Sequence, residues 1–347
     1  METLWFCILA GMLTIYVVLD GFDLGAGVIH LWVAKTPAER ALIIRAVGPV
    51  WDGNEVWLLA SGGALFVGFP VLLATSFSGF YLPLMMVLWL LTGRALGIEF
   101  RHQLEHPAWT GFWDVVFSLS SGLLALFFGV ALGNVVRGVP IEFDGTFFEP
   151  LWRSFEPGST SGVLDAYTVL AGLTAVAALT HHGSLWIAKK TEGVVQERSR
   201  RTAKWSGWST VVLLLLVTIW THRVQPHMPE RFAAQPWGHV FPLLAAGGLG
   251  TAIWMRRRKR DTAAFLASAG FLAAMLASVA FSLYPYMLPS TGYRGYGALT
   301  VHNAAAPASS LKTALAWWIP GMIPVIGYFV FVYRKFAGKI GAPDGDY

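Results

Sequence analysis

The stretch Trp51-Asp-Gly-Asn-Glu-Val-Trp57 decides how this chain is read. It puts two carboxylates, an amide and two indoles at the head of an apolar run continuing to about residue 69. A carboxylate in hydrocarbon costs roughly 2.5–3.5 kcal/mol even on lenient insertion scales, so it is rarely there without a function. A second element of this kind, Asp20-Gly-Phe-Asp23, interrupts the first apolar segment. Together they point to a buried polar site in a membrane protein.

Composition agrees. Of 347 residues, 55% are hydrophobic and 13% charged, against about 25% charged in soluble domains. The net charge of +5 arises from short basic clusters between apolar runs, as the positive-inside rule places them, so nucleic acid is not an expected partner. Cys7 is the only cysteine, which excludes internal disulfides and multi-cysteine metal sites. The first apolar run exceeds signal-peptide length and lacks a basic flank, and reads as a retained span.

Windows of about 20 apolar residues, enough to cross the hydrocarbon as a helix, fall near 4–33, 48–69, 76–99, 112–136, 163–188, 205–222, 237–255, 262–287 and 313–333. Nine spans in a single polytopic domain over 1–347 are expected. Residues 36–44 read as a short interfacial helix. Lys35, Arg40, Arg45, Arg94, Arg101, the basic residues of 189–204 and the run Arg256-Arg-Arg-Lys-Arg260 all fall on one side when the N-terminus is outside and the C-terminus inside. The longest outward loop, about 138–162, carries Glu142, Asp144, Glu149 and Glu156 and could cap the outer face or touch a partner.

Depth sharpens the polar pattern. At 1.5 Å per residue, Asp20 and Asp23 lie about 24–29 Å from the outer end of the first helix, in its cytoplasmic half. Asp52 and Glu55 open the second helix, Asp114 opens the fourth, and Arg94, Glu99 and Arg101 end the third. All are expected near one level. The i,i+3 spacing puts Asp20 with Asp23, and Asp52 with Glu55, on shared helix faces. Crowded, desolvated carboxyls could carry protons near neutrality, while Arg94 and Arg101 would hold some ionised. Trp51 and Asn54 flank the motif as supports. The bland reading makes these acids caps and interhelical hydrogen-bonding groups.

His181-His182, late in the fifth span, could ligate haem or relay protons, but satisfied structural histidines are the plainer reading. His30, His102, His106, His222, His227, His239 and His302 read as solvated. No spacing suits a bis-histidine haem and no Cys-x-x-Cys-His occurs, so no metal ligation by this chain is expected.

Asp20-Gly-Phe-Asp-Leu-Gly25, Trp51-Asp-Gly-Asn-Glu-Val-Trp-Leu58, Gly62-Gly-Ala-Leu-Phe66, Phe77-Ser-Gly-Phe-Tyr81, Arg94 with Phe100-Arg101, Trp113-Asp114, Gly129-Val-Ala-Leu-Gly-Asn134 and Tyr284-Pro-Tyr-Met-Leu-Pro-Ser290 together resemble subunit II of cytochrome bd-type ubiquinol oxidases, including the cyanide-insensitive group. The resemblance spans nearly the whole chain and is densest in the first 140 residues. It implies nine helices, two four-helix bundles plus a peripheral helix, paired with a similarly folded subunit I in the bacterial cytoplasmic membrane. It implies that haems b and b/d and the quinol-oxidation site belong to subunit I, where quinol and O2 become quinone and water. A small single-span accessory subunit is a further implied partner. For subunit II it implies support of assembly and part of a cytoplasmic proton route through Asp52, beside Glu55, Asp20, Asp23 and Asp114. Some members hold a structural quinone and admit oxygen near the position of Trp57. Apart from the resemblance, intramembrane acids also suit a proton- or ion-coupled transporter, although no convincing inverted repeat is present, or a pure assembly scaffold.

Overall fold

A computed structural model describes residues 1–142, 144–157, 162–292 and 297–341. The chain is almost entirely helical: α1 Glu2–Val33, α2 Pro37–Val47, α3 Trp51–Gly68, α4 Pro70–Gly79, α5 Tyr81–Phe100, α6 Pro107–Arg137, α7 Ala166–Lys190, α8 Gly193–Val224, α9 His227–Ala234, α10 Val240–Arg257, α11 Asp261–Leu283 and α12 Ala308–Lys335. A two-stranded antiparallel sheet, β1 Tyr286–Leu288 with β2 Leu299–Thr300, lies between α11 and α12. Among the described residues seven helices are long and apolar enough to cross a membrane, or eight if the bent pair α3–α4 is one span.

Each apolar window of the sequence coincides with a helix, with one correction between the second and third. There Pro70 opens a separate helix, α4, bent by 120° from α3. Proline has no N–H to continue the α3 ladder and its ring clashes with the preceding turn, whereas hydropathy is blind to direction. The short helix expected at 36–44 is α2. Thr36 caps it, with Glu39 completing a capping box. The backbone N–H of Lys35 holds the Glu39 carboxyl below its usual range, and Arg198 of α8 adds a 2.9 Å ion pair. One side of α2 lies on the helical core through Ile43, Ala46 and Val47.

α1, α3, α5 and α6 pack on one another, as do α7, α8, α10 and α11, and α1 and α7 meet where the two groups join. The α1–α7 crossing is close because two glycines face each other. A Cβ on Gly25 would lie 1.9 Å from the Leu179 carbonyl oxygen, and one on Gly183 would lie 2.3 Å from the Gly25 carbonyl carbon, in the manner of small-residue membrane interfaces. α7 is not among the helices picked out by hydropathy. Surrounded by neighbours, it can carry polar groups that close inside the protein: Thr174 donates to Leu170 O, and His182 meets both Ser268 Oγ and Val18 O at 3.0 Å.

α12 stands apart, packing mainly on α1 and α3, with Tyr333 near its end meeting Trp186 of α7 edge to face at 6.4 Å between ring centroids. Near its start, Ala306 N donates to Gly68 O at 2.9 Å and Trp5 Nε1 to Leu311 O at 3.1 Å. At its far end, Lys190 Nζ donates to the carbonyls of Phe336 and Gly338, which follow the last turn. Between these ties an apolar groove of about 850 Å³ runs between α12, α1 and α3.

Candidate functional site

Residues of α1, α3, α5 and α12 build the first polar cluster. Asp20 and Asp23 lie one turn apart on α1, 0% and 1% exposed. Arg94 comes from α5, fully buried, and its two terminal nitrogens donate separately, Nη1 to Asp20 Oδ1 and Nη2 to Glu55 Oε2, each at 2.6 Å. The Arg94 guanidinium also lies 5.9 Å from the Trp51 ring centroid. Asn54 Nδ2 donates to Asp23 Oδ2 at 2.7 Å and to Leu19 O at 3.3 Å. Its Oδ1 accepts from the Tyr333 hydroxyl of α12 at 2.8 Å. One oxygen of each α1 acid, Asp20 Oδ2 and Asp23 Oδ1, is buried without a partner, as is the hydroxyl of Tyr16 one turn earlier.

The charge balance is lopsided: three carboxyls face one guanidinium. Fully ionised, the group would bury two uncompensated negative charges in a medium that penalises even one. Such a group exchanges protons as a unit rather than residue by residue.

A second cluster lies farther along α1. His30 Nε2 donates to Asp114 Oδ1 at 2.7 Å, Arg101 Nε donates to the same oxygen at 2.6 Å, and Arg40 Nη1 reaches Oδ2 at 3.3 Å. Arg101 also donates to Pro37 O, tying in the start of α2. Here one acid faces two arginines and a histidine, and both its oxygens are occupied.

The expectation of a single level is therefore corrected. Asp20, Asp23, Glu55 and Arg94 come together, whereas Asp114 and Arg101 form a separate knot with His30. His30, read from sequence as solvated, is fully buried. A signal was available: residues 16, 20, 23, 27 and 30 recur on one helical face, so His30 continues the face of the two aspartates. Asp52 joins neither cluster. It lies exposed at the start of α3, on the face that also presents Val56, Leu59 and Phe66. Glu99 is likewise exposed. Trp57 packs against Phe329 with ring centroids 5.5 Å apart and lines the apolar groove. Tyr16 and Tyr333 had been missed, and for Tyr333 no local pattern could have revealed it, because its partners are about 280 residues away.

The arrangement extends over the same length as a known family. The sequence profile of cytochrome bd terminal oxidase subunit II matches residues 1–336. The chain belongs to that family. It is similar to the probable cytochrome oxidase subunit 2 of Haemophilus influenzae, 28% identical, with 98% of this chain and 95% of the relative covered. It is 28% identical to cytochrome bd-I ubiquinol oxidase subunit 2 of Escherichia coli K12, with the same coverage. It is 29% identical to cytochrome bd ubiquinol oxidase subunit 2 of Bacillus subtilis, over 98% and 97% of the two chains. The bd oxidase from Geobacillus thermodenitrificans shares the fold, with a TM-score of 0.75 at 19% identity over 96% of this chain and 98% of that one. As a bd-oxidase subunit II, the chain is a multi-pass protein of the bacterial cytoplasmic membrane and part of a quinol oxidase complex with a subunit I.

On the opposite side of this subunit II, the loop after α6 closes over a third cluster. Arg137 donates to Asp165 and Glu149, to Asn134 Oδ1 at 2.7 Å and to Gly162 O at 3.0 Å. Asp165 is also the N-cap of α7. Burial pushes the Glu149 carboxyl up to about 7, against the pull of Arg137. Glu149, one of the acids of the long loop read from sequence at about 138–162, is thus buried within the protein.

Proposed function

We propose that this chain is the haem-free member of the oxidase, supporting assembly of subunit I and supplying part of a cytoplasmic proton route to the O2-reducing site. The observation that carries this reading is the acid excess around Arg94, with two buried carboxylate oxygens left unpartnered. A group held short of full ionisation by its charge balance takes up and releases protons at little reorganisation cost. Asp52, at the mouth of the exposed α3 face, is the group we assign to the hand-over toward subunit I. The same contacts also serve assembly, since Arg94 fastens α5 to α1 and α3.

His182 supports the haem-free reading. His182 has both ring nitrogens engaged, while His181 donates through Nδ1 to Ala203 O, its ring lying against the Gly207 backbone and its Nε2 buried without a partner. With both nitrogens taken, His182 is not offered to an iron. We place all nine apolar helices across the membrane, α7 included, with the N-terminus outside and α12 as the peripheral helix of two four-helix groups. The apolar groove beneath α12 suits the isoprenoid chain of a structural quinone, with Met12, Leu19, Met322 and Phe329 as lining and Trp57 at its wall, where oxygen could also enter. Ubiquinol as donor follows from the relatives' names alone.

Asp52→Asn in the assembled complex tests the route. Quinol-dependent O2 uptake is expected to fall at least about tenfold with the haem spectrum of the complex unchanged. Joint loss of haem and subunit association would favour a scaffold, and normal turnover would remove Asp52 from the route.

A further inference from the structure

The hydroxyl of Tyr333 reaches the acid cluster only through Asn54. An asparagine amide can present either its oxygen or its NH2 to a neighbour, and the choice is set by what surrounds it. On one side of Asn54 lie two acceptors, Asp23 Oδ2 and Leu19 O, which require the NH2. On the other lies the Tyr333 O–H, which donates to Oδ1. Without that hydroxyl the amide can turn, and its oxygen would then oppose the Asp23 carboxylate. That rotated state is tolerable only when Asp23 carries a proton to donate.

We infer that Tyr333 is a positioning residue: by fixing the Asn54 amide it sets the proton affinity of Asp23, and so couples the peripheral helix to the buried acids. Tyr333 also lines the inner end of the apolar groove, so movement of α12 or filling of the groove is felt at Asp23 through two hydrogen bonds. The inference rests on the proton-route reading for its functional meaning, not for its chemistry. The other titratable groups around Asp23 are Asp20 and Tyr16 on α1, Glu55 and, beyond it, Asp52 on α3, and Arg94 on α5. α7 offers this part of α1 Leu179, Gly183 and His182, whose Nε2 meets Val18 O at 3.0 Å. None of these is altered by removing the Tyr333 hydroxyl.

The experiment is an infrared pH titration of the intact detergent-solubilised complex, following the protonated-carboxyl signal that disappears in Asp23→Asn. Tyr333→Phe is expected to move that titration upward by about half to one pH unit, the equivalent of one net hydrogen bond. In an Asn54→Ala background the same change is expected to produce no further shift, because the intermediary is gone. An unmoved titration in Tyr333→Phe, or an equal shift with Asn54 absent, overturns the inference. Failure of Tyr333→Phe to assemble also overturns it, since the hydroxyl would then be a structural strap. Turnover of Asp23→Asn separately tests the proton route: normal turnover there removes the route while leaving the infrared coupling to be judged by itself.

Discussion

Two polar clusters lie one behind the other along α1, and they hold their charges in opposite proportion. Around Arg94 three carboxyls share one cation and two oxygens are unpartnered. Around Asp114 one carboxyl is gripped by Arg101, Arg40 and His30. Both are built on a buried aspartate–arginine pair, so the ratio of acids to bases separates a group suited to exchanging protons from one suited to clamping helices. The Arg137 cluster, with two acids to one arginine, falls between them.

The strongest way to break the comparison is Arg94→Leu. Removing one partner of a buried ion pair typically costs about 3–5 kcal/mol, and here the sole counter-charge of three acids goes. We expect the complex not to accumulate in membranes, measured by its haem absorbance and by co-purification of the two subunits. Asp114→Asn is expected to be milder, about 1.5–3 kcal/mol for lost charge-assisted hydrogen bonds. Its thermal inactivation midpoint should fall, while turnover per assembled complex stays near wild type. A large turnover loss at unchanged thermal stability would place the second cluster on the proton route and erase the distinction.

The smallest effect concerns the Arg137 cluster. Because the folded Glu149 carboxyl titrates near 7, above the usual carboxylate range near 4.3, the folded state binds more protons than the unfolded one between those limits. Stability from this group is therefore full at the acidic end and lost as pH rises toward about 7. Hydrogen-exchange protection of the loop between α6 and α7 should weaken across that window. Glu149→Gln, fixed in the neutral form, should flatten the dependence, changing local stability by about 1 kcal/mol or less.

Much of this was legible in the residues, for identifiable reasons. Apolar length revealed each long helix, and the capping pattern at Thr36 and Glu39 marked α2. The i,i+3 acids gave the face of α1 that is buried. Hydropathy could not show that α4 turns away from α3, because a bent helix and a continued one have the same composition. Nor could it separate the two clusters, since depth along one helix does not say which neighbour meets it: Arg94 turns to Asp20 and Glu55, Arg101 to Asp114. Asp52 and Glu55 were expected on a common face, yet three residues span about 300° of helical rotation, and that offset leaves Glu55 on Arg94 and Asp52 exposed.

The ties at the N-terminal end of α1 carry a consequence for biogenesis. Trp5 bonds Leu311 O, Thr3 bonds Tyr284, and Glu2 pairs with His302 at 2.6 Å. The start of α1 therefore waits for segments made roughly 280 to 306 residues later before its end is secured. Such long-range closure is slow and depends on loop-closing entropy. Chains terminated before residue 284 lose all three ties and should hold the earlier helices and still present a frayed N-terminus, a ready mark by which membrane proteases could tell unfinished subunits from finished ones.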